Sequence, residues 1–290
     1  MAVRQTAGKT GTERANPPSP GNGRPAGRSG WKNAAAWVRV AVAAGIMYAA
    51  PAAGATLVEW SSEESAERFS RAEHKVDFFP LSNHFVGQDN RIYCGPASSA
   101  IVLNALRLGK REGLPQDRSA IDTEDMAWLP VGFDPFLGKY TPNNVLTEGT
   151  KTVAEVLGKP IEIAGEWKKD FGLQLRQLAQ ALRVHGLSVT MRVVNDGAEP
   201  ELLRDELADN LATADNYVLI NYSRKALGQS GGGHISPLGA YDRESDSFLV
   251  MDVNPNRAPW VWVKAADLIA AMQTFDTVEN RGYLLISEGQ

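Results

Sequence analysis

Cys94 is the only cysteine in a chain of 290 residues, and its neighbours suit a nucleophile. It stands in Tyr93-Cys94-Gly95-Pro96-Ala97-Ser98-Ser99, with Gln88 six residues upstream. Far downstream, Gly231-Gly232-Gly233-His234-Ile235-Ser236 sets a histidine behind three glycines, and Asp252 follows 18 residues later. A single Cys with a distant His and Asp is the pattern of thiol acyl-transfer chemistry, in which the groups meet in space and not in sequence.

These groups need elements to position them. The run Ala97 to Leu106 is apolar at helical intervals, which predicts a helix starting at Cys94. A helix N-terminus offers unpaired N–H groups and a dipole that favour thiolate over thiol. Pro96 suits the first turn, and Gly95 would let a substrate approach the backbone. Two donors are then available for a developing oxyanion: the Cys94 amide and the Gln88 side chain. Ile235 to Tyr241 and Ser247 to Asp252 read as two strands joined by Asp242 to Asp246. That hairpin predicts His234 beside Asp252, with the carboxylate fixing the imidazole tautomer. His74, His84 and His185 have no such partner and no metal-ligand spacing, so no zinc site is expected.

The rest of the chain divides by composition. Residues 1–39 carry seven Lys and Arg against one Glu, without hydrophobic periodicity, and read as a disordered basic leader. Residues 40–55 are uncharged and end in Ala53-Gly54-Ala55, the layout of a signal-peptide hydrophobic region cleaved after Ala55. The run is short for a membrane span, so a periplasmic or secreted location is expected over an N-terminal anchor. The whole chain carries a net charge of −4, so everything beyond the basic leader is acidic, which argues against a nucleic-acid-binding face.

Within 56–290, Ser61 to Phe69 reads as a capped, exposed helix that packs lightly. Leu173, Leu175, Leu178 and Leu182 mark an amphipathic helix, followed by a strand over Leu187 to Val194. A helix over Glu199 to Thr213 and a strand over Tyr217 to Tyr222 come next. Val261 to Val263, a helix over Ala265 to Met272, and Gly282 to Ile286 complete the pattern. Helices early and a mostly antiparallel sheet late predict an α+β fold with the site in the cleft between the two parts.

The stretches Gln88 to Ser99, Asn221-Tyr222-Ser223-Arg224-Lys225, and Gly232 to Leu238 through Asp252 resemble phytochelatin synthase in its short bacterial form. The resemblance covers roughly residues 57–288, and makes 56–290 a phytochelatin synthase-like catalytic domain. It implies a papain-like cysteine-peptidase fold and a Cys94-His234-Asp252 triad. It also implies glutathione as substrate, with glycine released through a γ-glutamylcysteinyl thioester on Cys94. Water would resolve that thioester to γ-glutamylcysteine, and a second glutathione would resolve it to a phytochelatin. By the same resemblance Asn221 and Arg224 line the donor site, and Gly95 and Gly233 lie against the substrate. No cofactor is required; cadmium or zinc would enter only as the metal thiolate of the substrate. No nucleic acid and no stable membrane association are implied, and a homodimer is compatible with the family.

This sequence departs from the family in two places. Pro255 stands where an arginine is usual, with Arg257 nearby, which points to hydrolysis as the main outcome. The segment 109–169 is longer than in relatives and contains Trp128-Leu129-Pro130-Val131-Gly132-Phe133-Asp134-Pro135-Phe136. The alternative is a papain-like peptidase of the bacteriocin-leader type, which cuts after paired glycines.

Overall fold

The computed structural model describes residues 55–289; the leader and the signal-peptide region up to residue 54 lie outside them. The chain opens with β1 (Val58–Glu59), α1 (Glu63–Arg71), α2 (Phe78–Asn83) and α3 (Cys94–Arg107). A long irregular stretch leads to α4 (Val153–Val156) and the small hairpin β2 (Ile161–Ile163) and β3 (Glu166–Lys168). Then come α5 (Leu175–Val184), β4 (Leu187–Val193), α6 (Pro200–Leu211), β5 (Asn216–Ser223), β6 (Gly233–Asp242) and β7 (Ser247–Val250). β8 (Val261–Lys264), α7 (Ala265–Met272) and β9 (Gly282–Glu288) close the chain.

The main sheet has seven strands in the order β1-β8-β7-β6-β5-β9-β4, with every pairing antiparallel. The expected α+β class and helix-then-sheet layout are what the chain adopts, with one addition. The apolar residues of β5 split by parity: Tyr217 and Leu219 join the core shared with α3 and α5, while Val218, Ile220 and Tyr222 join the core shared with α6 and α7. The sheet is therefore covered on both faces, and β5 reads as an unbroken apolar run because neither face meets water.

α3 is buried from Gly95 to Arg107, which explains its weak amphipathicity: small and apolar residues surround the whole axis. Ser98 Oγ donates to the Ile235 carbonyl at 3.3 Å, tying this helix to β6. α1 packs more firmly than its polar sequence predicts. Ser62 caps it, Ser65 is buried and accepts a 2.9 Å hydrogen bond from Trp262 Nε1, and Phe69 joins a cluster with Trp60 and Phe78. The β6–β7 pairing shifts register between Leu238 and Ala240. At this irregularity a Cβ on Gly239 would lie 2.7 Å from Met251 Sδ, so glycine lets that side chain pack closely against the strand.

Among the described residues, no helix is long and apolar enough to cross a membrane. No three His, Cys, Asp or Glu side chains converge there into a group that could hold a metal ion.

Candidate active site

Cys94 is the first residue of α3. Its N-cap, Tyr93, makes no side-chain capping bond, so no side chain competes for the amides of the first turn. The half-buried Cys94 lines a cleft of about 210 Å³ together with Arg91, Leu173, Asn221, His234 and Asp276. The structure brings His234 and Asp252 together as the hairpin predicts. His234 is the second residue of β6 and Asp252 lies two residues beyond β7, with Nε2 to Oδ1 at 2.9 Å. This leaves Nδ1 for the Cys94 side.

Three shifts describe the electrostatics. Burial works to raise the Cys94 thiol, but the His234 ring and the backbone amides of Ile235 and Gly95 bring it below its ordinary value. Burial works to discharge His234, yet its bonds to Asp252 and Cys94 raise it above the ordinary imidazole value. Burial opposes the Asp252 charge as well, and His234, Arg224 and the Asn254 amide together lower it. Opposite movements of thiol and imidazole favour a thiolate–imidazolium pair.

Asp252 is fully buried and well supplied with donors. Beyond His234, it accepts from Arg224 Nη2 at 2.7 Å to Oδ1 and 2.6 Å to Oδ2, from the Asn254 amide at 2.7 Å, and from Tyr222 Oη at 3.3 Å. This corrects the placement of Arg224. Its side chain is 3% exposed and spent on Asp252, and it is not among the residues that line the Cys94 cleft. A guanidinium one residue past β5 is carried under the end of the sheet, where the nearest carboxylate takes it.

The other expected residues fall in different places. Asn221 does line the cleft, and its Nδ2 donates to Asp276 Oδ2 at 3.2 Å. Gly233 lines it too, with Arg281 Nη2 only 2.9 Å from where its Cβ would be. Gly95 differs from expectation: it is buried under Leu173, whose Cδ1 lies 2.9 Å from the site of a Cβ. Its missing side chain makes room for Leu173. Gln88 donates from Nε2 to the Asn90 carbonyl at 2.5 Å and lines a neighbouring basin of about 340 Å³, with Arg91 and Arg257. Pro255 lies against Gly87, 3.4 Å from the position of a Cβ there.

Arg91 and Asp276 were not anticipated. Arg91 sits inside the Gln88 to Cys94 stretch, and its place there was the available signal; Asp276 lies in the loop before β9, with no local pattern to mark it. They give the cleft a guanidinium and a carboxylate, the latter paired with Arg281 at 3.2 Å.

The family model described as phytochelatin synthase matches residues 49–119 and 139–283. The unmatched stretch, 120–138, falls inside the segment that the sequence marks as long. Similar curated proteins are glutathione gamma-glutamylcysteinyltransferases. One from Lotus japonicus is 39% identical over 235 residues, covering 79% of this chain and 40% of its own length. Another from that plant is 28% identical over 213 residues, covering 73% and 37%. One from Arabidopsis thaliana is 27% identical over 236 residues, covering 79% and 44%. The chain thus spans about two fifths of the length of these relatives. The structure of xylellain, a cysteine protease from Xylella fastidiosa, is similar over 77% of this chain and 89% of that one, with 15% identity and a TM-score of 0.38. Since the family match covers most of the chain, from the helix that begins at Cys94 to the strand that carries His234 and the residues after β7 that include Asp252, the chain belongs to the phytochelatin synthase family.

Proposed function

We propose that the protein is a thiol acyl-transfer enzyme acting on glutathione. The observation that carries this reading is the His234–Asp252 hydrogen bond with Cys94 and His234 lining one cleft, which Arg91 and Asp276 also line. Glutathione carries carboxylates, which the Arg91 guanidinium can hold. The names of the similar proteins supply the transferred group, γ-glutamylcysteinyl.

The Cys94 thiolate attacks the carbonyl of the Cys–Gly bond. The Cys94 amide meets the developing oxyanion, and Gln88 joins it once its amide turns from the Asn90 carbonyl. His234 protonates the departing glycine amine, leaving a thioester on Cys94. Water then attacks with His234 as base, giving γ-glutamylcysteine and the free thiol. Hydrolysis is the main outcome in this reading, because Pro255 removes the cation expected on the acceptor side. Arg257 in the neighbouring basin is the residue that would hold an acceptor glutathione when transfer occurs. The reaction needs no cofactor; cadmium or zinc acts by presenting glutathione as a metal thiolate. The mature protein begins after Ala55 and works outside the cytoplasm, which intact-mass analysis from an export-competent host tests.

The function is tested by incubating the protein with glutathione and, separately, with a double-glycine leader peptide. Free glycine without leader cleavage is expected, and Cys94→Ala abolishes it. Leader cleavage without glycine release would move the enzyme to the bacteriocin-leader peptidases.

A further inference from the structure

Beside Phe171, Gly172 and Leu173 of the cleft lies a buried charge pair that the chemistry above does not use. Lys151 and Asp170 are each 4% exposed, with Nζ to Oδ2 at 2.9 Å. Lys151 Nζ also donates to the Asp170 carbonyl at 2.6 Å and to the Gly172 carbonyl at 2.8 Å. Asp170 Oδ2 accepts from Gln174 Nε2 and Gln177 Nε2, both at 2.9 Å, and Oδ1 accepts from Thr277 Oγ1 at 3.4 Å. Every oxygen of the carboxylate is thus engaged.

The position of this knot matters more than its completeness. The two carbonyls that Lys151 gathers belong to the segment 170–173, and Phe171, Gly172 and Leu173 form one wall of the cleft. Leu173 rests on Gly95, next to the nucleophile. Gly172 has φ +73, a conformation glycine adopts without strain, and its carbonyl accepts from Lys151. Thr277, at the other end of the network, follows Asp276, which also lines the cleft. The ammonium group thus holds the segment 170–172, and a 3.4 Å hydrogen bond from Thr277 to Asp170 links that segment to the loop that carries Asp276, with none of Cys94, His234 and Asp252 among the partners.

We propose that Lys151 is a positioning residue that holds the segment 170–172 and, through Asp170, its link to the loop that carries Asp276, and so sets the affinity for the acyl donor. It acts on binding and leaves the nucleophile alone. Its effect on donor affinity rests on the glutathione reading; its effect on the wall does not.

The test compares Lys151→Met with Arg107→Met, which breaks another largely buried ion pair, to Glu288, away from the cleft. Hydrogen–deuterium exchange needs no substrate. In Lys151→Met, exchange over 170–174 should rise about tenfold or more, with no change over 233–242; Arg107→Met should leave 170–174 unchanged. With glutathione, Lys151→Met should raise KM about tenfold, with kcat within about threefold and the pH profile of Cys94 alkylation by iodoacetamide unmoved. Arg107→Met should lower the Tm comparably and leave KM within about twofold. If Lys151→Met does not fold, Lys151→Gln, which keeps an uncharged NH2 donor group, should show the same split with a smaller rise in KM. Unchanged exchange over 170–174 overturns the proposal, as does an equal KM rise in both variants or a shifted alkylation profile. Absence of glycine release by the wild type would instead refute the glutathione reading, and the exchange comparison would still decide the role of Lys151.

Discussion

Asp252 and Asp77 are both aspartates with almost no exposed surface, 0% and 1%, and they behave in opposite ways. Asp252 stands at the end of the central sheet, where four groups donate to it, and it is held below the usual carboxylate range. Asp77 stands at the N-cap of α2, but its backbone is already helical and its side chain caps nothing. Neither of its oxygens has a hydrogen-bond partner. Burial, with help from the charge of Asp215, pushes it up to about 8. Burial alone therefore does not decide charge in this protein; supplied donors do. Where donors are arranged, the carboxylate is an instrument for holding an imidazole. Where they are lacking, it is a neutral acid that the fold tolerates.

The comparison breaks most visibly at Asp252. Asp252→Ala should lower kcat/KM by about 10³-fold or more, because it releases His234 and leaves Arg224 buried without a counter-ion. Asp252→Asn should lose less activity, about 10- to 100-fold, since an amide oxygen still accepts from Nε2. It should nonetheless lower stability by about 3 kcal/mol, because the buried guanidinium loses its charge partner. Adding Arg224→Met to Asp252→Asn should recover part of that stability, as denaturant melts would show. No recovery would mean that Arg224 does not depend on Asp252.

Arg224→Met alone sharpens the reassignment of that residue. As a support of Asp252 it should lower kcat by about tenfold with KM nearly unchanged, and move the pH profile of Cys94 alkylation. A rise in KM with an unmoved profile would return Arg224 to the substrate.

Asp77→Asn should stabilise the protein by about 1–3 kcal/mol at pH 7. The folded state holds the Asp77 proton up to about 8, while the unfolded chain releases it near 3.8. Native stability from this group is therefore present at low pH and falls as pH rises between those values, so the gain from Asn should grow over the same interval. Asp252 runs the other way: its depressed value contributes stability above the ordinary carboxylate range, lost as pH falls through the folded value. Urea melts of wild type and Asp77→Asn across that interval check the sign. A gain that shrinks with rising pH would contradict the neutral-acid account.

The smallest effect belongs to the stretch 120–138, which the family match skips. Trp128 there is 87% exposed, and Trp128→Ser should change stability by no more than about 0.5 kcal/mol and leave glycine release intact.

Legibility in the sequence followed the range of the interactions. Cys94, His234 and Asp252 could be read because a helix start and a hairpin are local patterns, and the structure joins them as those patterns require. The antiparallel sheet was readable strand by strand, apart from β1 and the β2–β3 hairpin, whose two- and three-residue strands carry no usable period. Its second covering layer was not foreseen, although the unbroken apolar run of β5 held the clue. Arg224 was misplaced because its partner lies 28 residues away, across the sheet end. Asp276, Lys151 and Asp77 were invisible for the same reason: what matters about them is which donors or carbonyls the fold brings near.

The central claim is that Cys94 carries the acyl group. Protein mixed with glutathione, quenched in acid and weighed intact tests it most directly. The wild type should gain the mass of one γ-glutamylcysteinyl group, mapped to the Cys94 peptide and removed by hydroxylamine, while Cys94→Ala should gain nothing and release no glycine. Glycine release at the wild-type rate by Cys94→Ala, or an adduct on any other residue, would contradict the account.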